Sequence, residues 1–159
     1  MDQLWAPWRM AYVSTNKPDP AGSCFVCSAR DRENDRENLL VRRTGHSLVF
    51  LNRFPYNNGH LLIAPRAHKA RLEEFSTEEM VDVHETLRQS ISQLETLMKP
   101  NGFNVGLNLG AAAGAGLPGH LHWHIVPRWN GDTNFMPVIS DVRVIVQSLD
   151  SLYQLLTAS

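Results

Sequence analysis

Residues 120–129, HLHWHIVPRW, set imidazoles at alternate positions, with His120, His122 and His124 interleaved by Leu121, Trp123 and Ile125. Successive side chains of an extended chain point to opposite faces, whereas a helix would scatter this pattern around its axis. The segment is therefore expected to be a strand, with one apolar face turned into a core and three imidazoles aligned on the other. Asn, Thr or Lys would solvate a sheet face without crowding three titratable groups, so the histidines call for a chemical reason. Each imidazole discourages protonation of its neighbours, which keeps at least one ring neutral near pH 7. A neutral imidazole is a nucleophile or a metal ligand.

Other segments supply a sheet for that strand to join. LLVRR (39–43), HSLVFLN (46–52) and HLLIAP (60–65) read as strands with short, turn-rich connections, which predicts an antiparallel meander. Met80, Val83, Leu87, Ile91, Leu94 and Met98 recur at three- and four-residue steps, a helical stripe begun by a capping box of Ser76 with Glu79 and stopped by Pro100-Asn101-Gly102. FNVGLNLG (103–110) reads as a further strand and AAAGAGLPG (111–119) as a flexible loop. Val144, Leu149, Leu152 and Leu155 predict a helix over 141–156. The charged run RDRENDREN (30–38) is expected to be a solvated helix or loop. His46 and His84 fall at a strand start and within the helix, as surface or packing residues. With no βαβ rhythm and no internal repeat, the expected class is α+β, a mainly antiparallel five-stranded sheet with a long central helix and a C-terminal helix.

A length of 159 residues suits one domain. STNKPDPAGS (14–23) separates an arm over 1–23 from a core over 24–136, with the C-terminal helix assigned to 137–159. Trp5 and Trp8, with Pro7 between them, sit in an arm with little core of its own, and such residues find burial on a partner. Net charge is −1 and no block of like charges occurs, which argues against nucleic acid and against a membrane-surface helix. No run approaches the roughly 18 to 20 apolar residues that span a bilayer, and the N-terminus lacks the pattern of a secretory signal. A cytoplasmic location is expected.

Two features point to chemistry. The loop GAAAGAGLPG (110–119) carries four glycines, including Gly114 and Gly116, whose backbone N–H groups can surround an anion and deliver it to the histidines that follow. Cys24 and Cys27 form a Cys-x-x-Cys pair with three readings: a thioredoxin-like redox pair, which would want a βαβ context; two unrelated buried cysteines; or half of a zinc site, with His68 and His120 as candidates for the other half.

HLHWHIV resembles the signature of the histidine triad family, and NRFPYNNGHLLIAPRAH (52–68) resembles the block that precedes it, so that the likeness covers roughly residues 24–136. FNVGLNLG, PRWNGDTNF and the arm LWAPWRM look closest to the bacterial branch that contains diadenosine tetraphosphate phosphorylases and hydrolases. The resemblance implies that His122 attacks the α-phosphate of a nucleotide to form a nucleotidyl-histidine. It implies too that His124 hydrogen-bonds the phosphate or leaving oxygen and that His60 supports the nucleophile's orientation. Asn52 would contact the ribose hydroxyls, and Asn108, Gly114 and Gly116 the phosphates. It also implies a structural zinc held by Cys24, Cys27, His68 and His120, and a homodimer joined sheet edge to sheet edge. One departure stands out: relatives carry Gln or Ser in the loop before the triad, but residues 110–118 contain no side-chain donor.

The expected activity is nucleotidyl hydrolysis or transfer on dinucleoside polyphosphates. Phosphorolysis, a nucleotide-binding signalling protein with incidental turnover, and a zinc-dependent redox or metal-handling protein are the competing readings.

Overall fold

A computed structural model describes residues 24–132 and 145–158. The arm with Trp5 and Trp8, and the part of the expected C-terminal helix before residue 145, lie outside the described residues. Within them are five strands: β1 (Leu40–Arg43), β2 (Ser47–Leu51), β3 (Leu61–Pro65), β4 (Gly102–Leu107) and β5 (Trp123–Arg128). They form one sheet in the order β1-β2-β3-β5-β4, and every neighbouring pair is antiparallel. The first three strands are the expected meander. Helices α1 (Phe25–Arg30), α2 (Thr77–Met98) and α3 (Leu149–Thr157) complete the α+β architecture. No helix among the described residues is long and apolar enough to cross a membrane.

Both faces of the sheet are covered, which explains why β2 and β3 read as unbroken apolar runs. Every residue of Ser47–Leu51 and Leu61–Pro65 is buried. On one face Val49, Leu51, Leu61, Ile63, Trp123 and Ile125 pack against Val83, Leu87 and Leu94 of α2 and Leu152 and Leu156 of α3. Each fully buried Leu or Ile there contributes about 1.5 to 3 kcal/mol relative to exposure. On the other face Leu48, Phe50, Leu62 and Ala64 pack against Val26 and Ala29 of α1. The first face holds the molecule together and the second receives the short helix.

The long helix starts as expected, with the Ser76 hydroxyl accepting from Glu79 N–H and the Glu79 carboxylate accepting from Ser76 N–H. It ends at Lys99, which takes the left-handed conformation at φ 48°. The C-terminal helix departs from expectation: residues 145–148 are not helical, and α3 begins at Leu149 because the Ser148 hydroxyl caps it by accepting from Ser151 N–H. Tyr153 of α3 donates its hydroxyl to Leu40 O at 3.1 Å, which ties the helix to β1.

The strand expected over 120–129 is shorter too. Cross-strand pairing begins at Trp123, opposite Ile63 and Leu107, while Leu121 N–H goes to Lys69 O and His120 N–H closes a turn on Leu117 O. His120 and His122 therefore lie on the approach to β5 and only His124 lies within it. The alternation survives: Leu121, Trp123 and Ile125 all enter the α2 face.

Helix α1 was not anticipated, and at six residues it has few bonds of its own. Arg43 of β1 supports its C-terminal end, donating to the carbonyls of Ala29, Arg30 and Arg32 at 2.9 to 3.1 Å while Asp35 pairs with the same guanidinium at 2.6 Å. The charged run is thus an exposed loop with one residue assigned to a task. Gly59, at φ 76°, sets the approach to β3: a Cβ there would meet Met98 Sδ at 2.9 Å and Pro127 Cγ at 3.1 Å.

Candidate active site

The face of the sheet opposite α2 opens into a cleft of about 560 Å³. Phe25 and Ala29 of α1, Phe50 of β2, Leu62 of β3 and Leu117 make an apolar wall. His122, His124, Gly114 and Gly116 line the cleft together with Asn52. A mainly apolar pocket with a few convergent polar groups is the usual shape of a small-molecule site. Leu39, with φ 55°, and Asn38 also line it, so the chain adopts a disfavoured conformation at the wall.

Hydrogen-bond partners fix the protons of the imidazoles. His122 Nδ1 lies 3.0 Å from the carbonyl oxygen of His120. A carbonyl only accepts, so Nδ1 carries the proton and Nε2 keeps its lone pair. A second chain of bonds runs through β3. Tyr56 N–H donates to His60 Nδ1 at 3.0 Å, which places the His60 proton on Nε2, and Nε2 lies 2.9 Å from His124 Nδ1. His124 Nδ1 is then the acceptor and its Nε2 carries a proton. That Nε2 is buried and has no hydrogen-bond partner among the described residues. Two rings that line the cleft thus carry one imidazole lone pair and one imidazole N–H without a partner among the described residues, with centroids 5.0 Å apart.

Asn52 is oriented by the same network. Its Oδ1 accepts from Phe54 N–H at 3.0 Å, which turns Nδ2 toward His60 Nδ1 at 3.1 Å. One lone pair and one amide proton remain for a ligand. His60 is fully buried, and burial, then the neighbouring His122 ring, pushes His124 down to about 4. His124 is therefore neutral across the physiological range.

The glycine-rich loop behaves differently from expectation at one residue. Gly114, at φ 86°, uses its own N–H to close a turn on Ala111 O at 2.9 Å. Among the described residues no turn bond uses the Gly116 N–H, and both glycines line the cleft. Asn108 is not among the residues lining it, since its amide donates to Gly114 O at 3.3 Å and holds the loop.

Below the cleft the structure gathers Cys24, Cys27, His68 and His120, whose candidate ligand atoms all lie within 4.8 Å of one another. His120 Nδ1 is 3.2 Å from Cys24 Sγ and 3.7 Å from Cys27 Sγ, and His68 Nδ1 is 3.3 Å from Cys27 Sγ. A tetrahedral zinc bound by sulfur and imidazole nitrogen places its ligands roughly 3.3 to 3.8 Å apart. His120 Nε2 is 2.8 Å from Pro65 O, so the proton sits there and Nδ1 faces the sulfurs unprotonated. Burial, then the bond from Cys24, pushes the Cys27 thiol up, and a divalent cation would reverse that penalty on the thiolate. The donor set fits zinc.

A HIT domain model matches residues 33–131. The chain belongs to the HIT, or histidine triad, family. It is 37% identical to a Mycobacterium tuberculosis protein named AP-4-A phosphorylase, over 98% of this chain and 83% of that protein. It is 30% identical to the asymmetrical bis(5'-nucleosyl)-tetraphosphatase of Schizosaccharomyces pombe, over 70% of this chain and 61% of that one. A solved Zn-bound histidine triad family protein from Mycobacterium smegmatis superposes with a TM-score of 0.67 at 24% identity, covering 86% of this chain and 91% of that chain, which shows the shared fold.

Within this HIT protein the structure adds residues that sequence reasoning missed. Tyr56 reaches the site twice, through its backbone N–H to His60 and through its ring, stacked on His124 at 5.8 Å and 18°. Its position between Asn52 and His60 was the only available signal. The apolar wall from α1 carried none, because six residues are too few for a periodic pattern.

The depressed His124 gives a pH dependence of known sign. An unfolded imidazole takes up a proton below about 6.5, whereas the native ring stays neutral until about 4, so stability falls as pH drops through that window. Urea midpoints of the wild type should therefore fall more steeply between pH 6.5 and 5 than those of His124→Gln. Parallel curves would refute the assignment.

Proposed function

We propose that this protein transfers a nucleotidyl group through His122, acting on dinucleoside polyphosphates at the α-phosphorus. The observation that carries the reading is the His122 tautomer: its Nδ1 proton is held by the His120 carbonyl, so Nε2 keeps its lone pair on a ring that lines the cleft together with His124, whose Nε2–H has no partner among the described residues. Nε2 forms a bond to the α-phosphorus as the bond from phosphorus to the bridging oxygen breaks, and the departing polyphosphate keeps that electron pair. The ring becomes an N-phosphorylated imidazolium whose Nδ1 proton stays hydrogen-bonded to the His120 carbonyl. His124 donates its Nε2–H to a phosphate or leaving oxygen, and His60 holds that ring by its own Nε2–H. A second nucleophile then attacks the same phosphorus and releases His122.

The apolar wall takes the base and Asn52 the ribose hydroxyls. Gly116 offers its backbone N–H to phosphate oxygens, in a loop that Gly114 turns and Asn108 braces. With water as second nucleophile the outcome is hydrolysis. With inorganic phosphate it is phosphorolysis, a second reading favoured by the name of the 37% identical mycobacterial relative.

Zinc on Cys24, Cys27, His68 and His120 would be structural. When bound, it supplies a four-ligand clamp with no open position for water. Through that clamp His120 joins α1 to the segment that delivers His122, so that the first residue of the triad serves the second by position.

The same reading makes the protein a homodimer. Among the described residues strand β4 pairs only with β5, its residues Asn104 to Gly106 are exposed, and Val105 lies on that edge. On α2, Val81 is also exposed.

Incubation with diadenosine tetraphosphate, with and without phosphate, tests the activity: ATP with AMP reports hydrolysis and ATP with ADP reports phosphorolysis. His122→Ala should lower turnover at least about 10³-fold. Turnover that survives this substitution would end the proposal. Metal analysis should give one zinc per chain, and Cys24→Ser should lose it with a melting temperature lower by more than about 5 °C; a zinc-free protein of unchanged stability would remove the clamp. Light scattering should return twice the chain mass, and a monomer at micromolar concentration would contradict the dimer.

A further inference from the structure

The loop between Asn52 and His60 carries two aromatic rings outward at the rim of the cleft. Phe54 is 78% exposed and Tyr56 is 46% exposed, yet both line the cleft, as does Arg53 between them and Asn52. An aromatic as exposed as Phe54 usually has an occupant, because leaving it in water gains nothing for the fold.

The loop is braced at each step. Phe54 N–H goes to Asn52 Oδ1, Tyr56 N–H to His60 Nδ1, and the Asn57 amide to Pro127 O at 3.2 Å and Asp132 Oδ2 at 2.8 Å. The rings are thus presented on a preorganised support, which spares a ligand the cost of ordering them.

Their place in the cleft identifies the occupant. Of the residues that line the cleft, Phe50 and Leu62 are buried whereas Phe54 is 78% exposed, which puts Phe54 on its open side, and Tyr56 stacks on His124. From the reacting phosphorus outward, the aromatic rim is therefore where the leaving half of a substrate extends. Arg53 adds a positive charge beside that path, complementary to a polyphosphate, with one of its N–H groups fixed on Glu37 O at 2.9 Å.

We propose that Phe54 and Tyr56 form a second nucleoside platform at the mouth of the cleft, on which the base of the leaving half of a dinucleoside polyphosphate stacks while Arg53 faces the phosphates between the two halves. This rests on the nucleotidyl-transfer reading above and names what selects its substrate. Stacking on an open ring tolerates any base, so the platform prefers a substrate with two nucleosides over one with a single nucleoside and the same phosphate chain.

The test compares diadenosine tetraphosphate with adenosine 5'-tetraphosphate, which offer His122 the same α-phosphorus and differ by the distal nucleoside. In the wild type, KM should be lower for the dinucleoside compound. Phe54→Ala should raise the ratio of the two KM values roughly 5- to 30-fold, the size of one lost stacking contact, and Phe54→Trp should restore it. A ratio unmoved by Phe54→Ala, or moved equally by Ala and Trp, overturns the platform. Calorimetric Kd values for the two compounds on His122→Ala, with and without Phe54→Ala, keep the two readings apart. Absent wild-type turnover would remove nucleotidyl transfer, while the Kd ratio still decides the platform. Failure of both compounds to bind overturns it as well.

Discussion

One carbonyl oxygen, that of His120, decides which nitrogen of His122 keeps its lone pair. Held at 3.0 Å, it keeps the proton on Nδ1 and the lone pair on Nε2, and no group in the cleft is needed to set the tautomer. The position of that carbonyl depends on the His120 ring, whose Nε2–H is on Pro65 O at the end of β3 and whose Nδ1 faces the two cysteine sulfurs. Residue 120 therefore acts on the site through its backbone, while its side chain fastens β3, α1 and the approach to β5 at one point. A strand would have given the same alternation; the turn at 117–120 and the bond from Leu121 N–H to Lys69 O release this segment from the ladder so that its carbonyl can face a ring.

The second imidazole is governed in the same way from the other side. A backbone N–H, that of Tyr56, fixes His60; His60 fixes His124; and the result is an N–H on a ring of the cleft lining that has no partner among the described residues. Such a group is costly to bury unless something uses it. Complementarity between an accepting Nε2 on His122 and a donating Nε2 on His124 is what a phosphoryl group requires, one nitrogen toward phosphorus and one toward oxygen. The two tautomers have independent origins, so neither ring has to borrow its proton from the other.

Much of this was legible in the sequence because period-2 and helical patterns report burial directly. The meander, the capped helix from Ser76 to Met98, and the separation of Leu121, Trp123 and Ile125 from the histidines all follow from side-chain direction. The family likeness brought Cys24, Cys27, His68 and His120 together, and their ligand atoms do converge. Other features left no trace. Helix α1 is a single short element whose stability comes from Arg43 and from packing on Phe50 and Leu62, so neither propensity nor period announced it. The start of α3 was placed too early because apolar spacing ran through Val144, whereas a hydroxyl cap at Ser148 sets the boundary. Gly114 was expected to offer its amide, yet a turn bond had already taken it, a matter of backbone pairing that composition does not show.

The two faces of the sheet divide the work. The face toward α2 and α3 is mainly apolar and supplies the stability, so the opposite face can carry groups that cost energy: a left-handed Leu39, a half-buried neutral His124 and an N–H without a partner among the described residues. What closes that second face is slight, a six-residue helix held at one end by Arg43 and at the other by the cysteines that start it. Because Phe25 and Ala29 of that helix are also the cleft wall, holding α1 and shaping the pocket are one requirement. The Cys-x-x-Cys pair at the helix start and His120 are then not separate motifs but two sides of one cluster next to that wall.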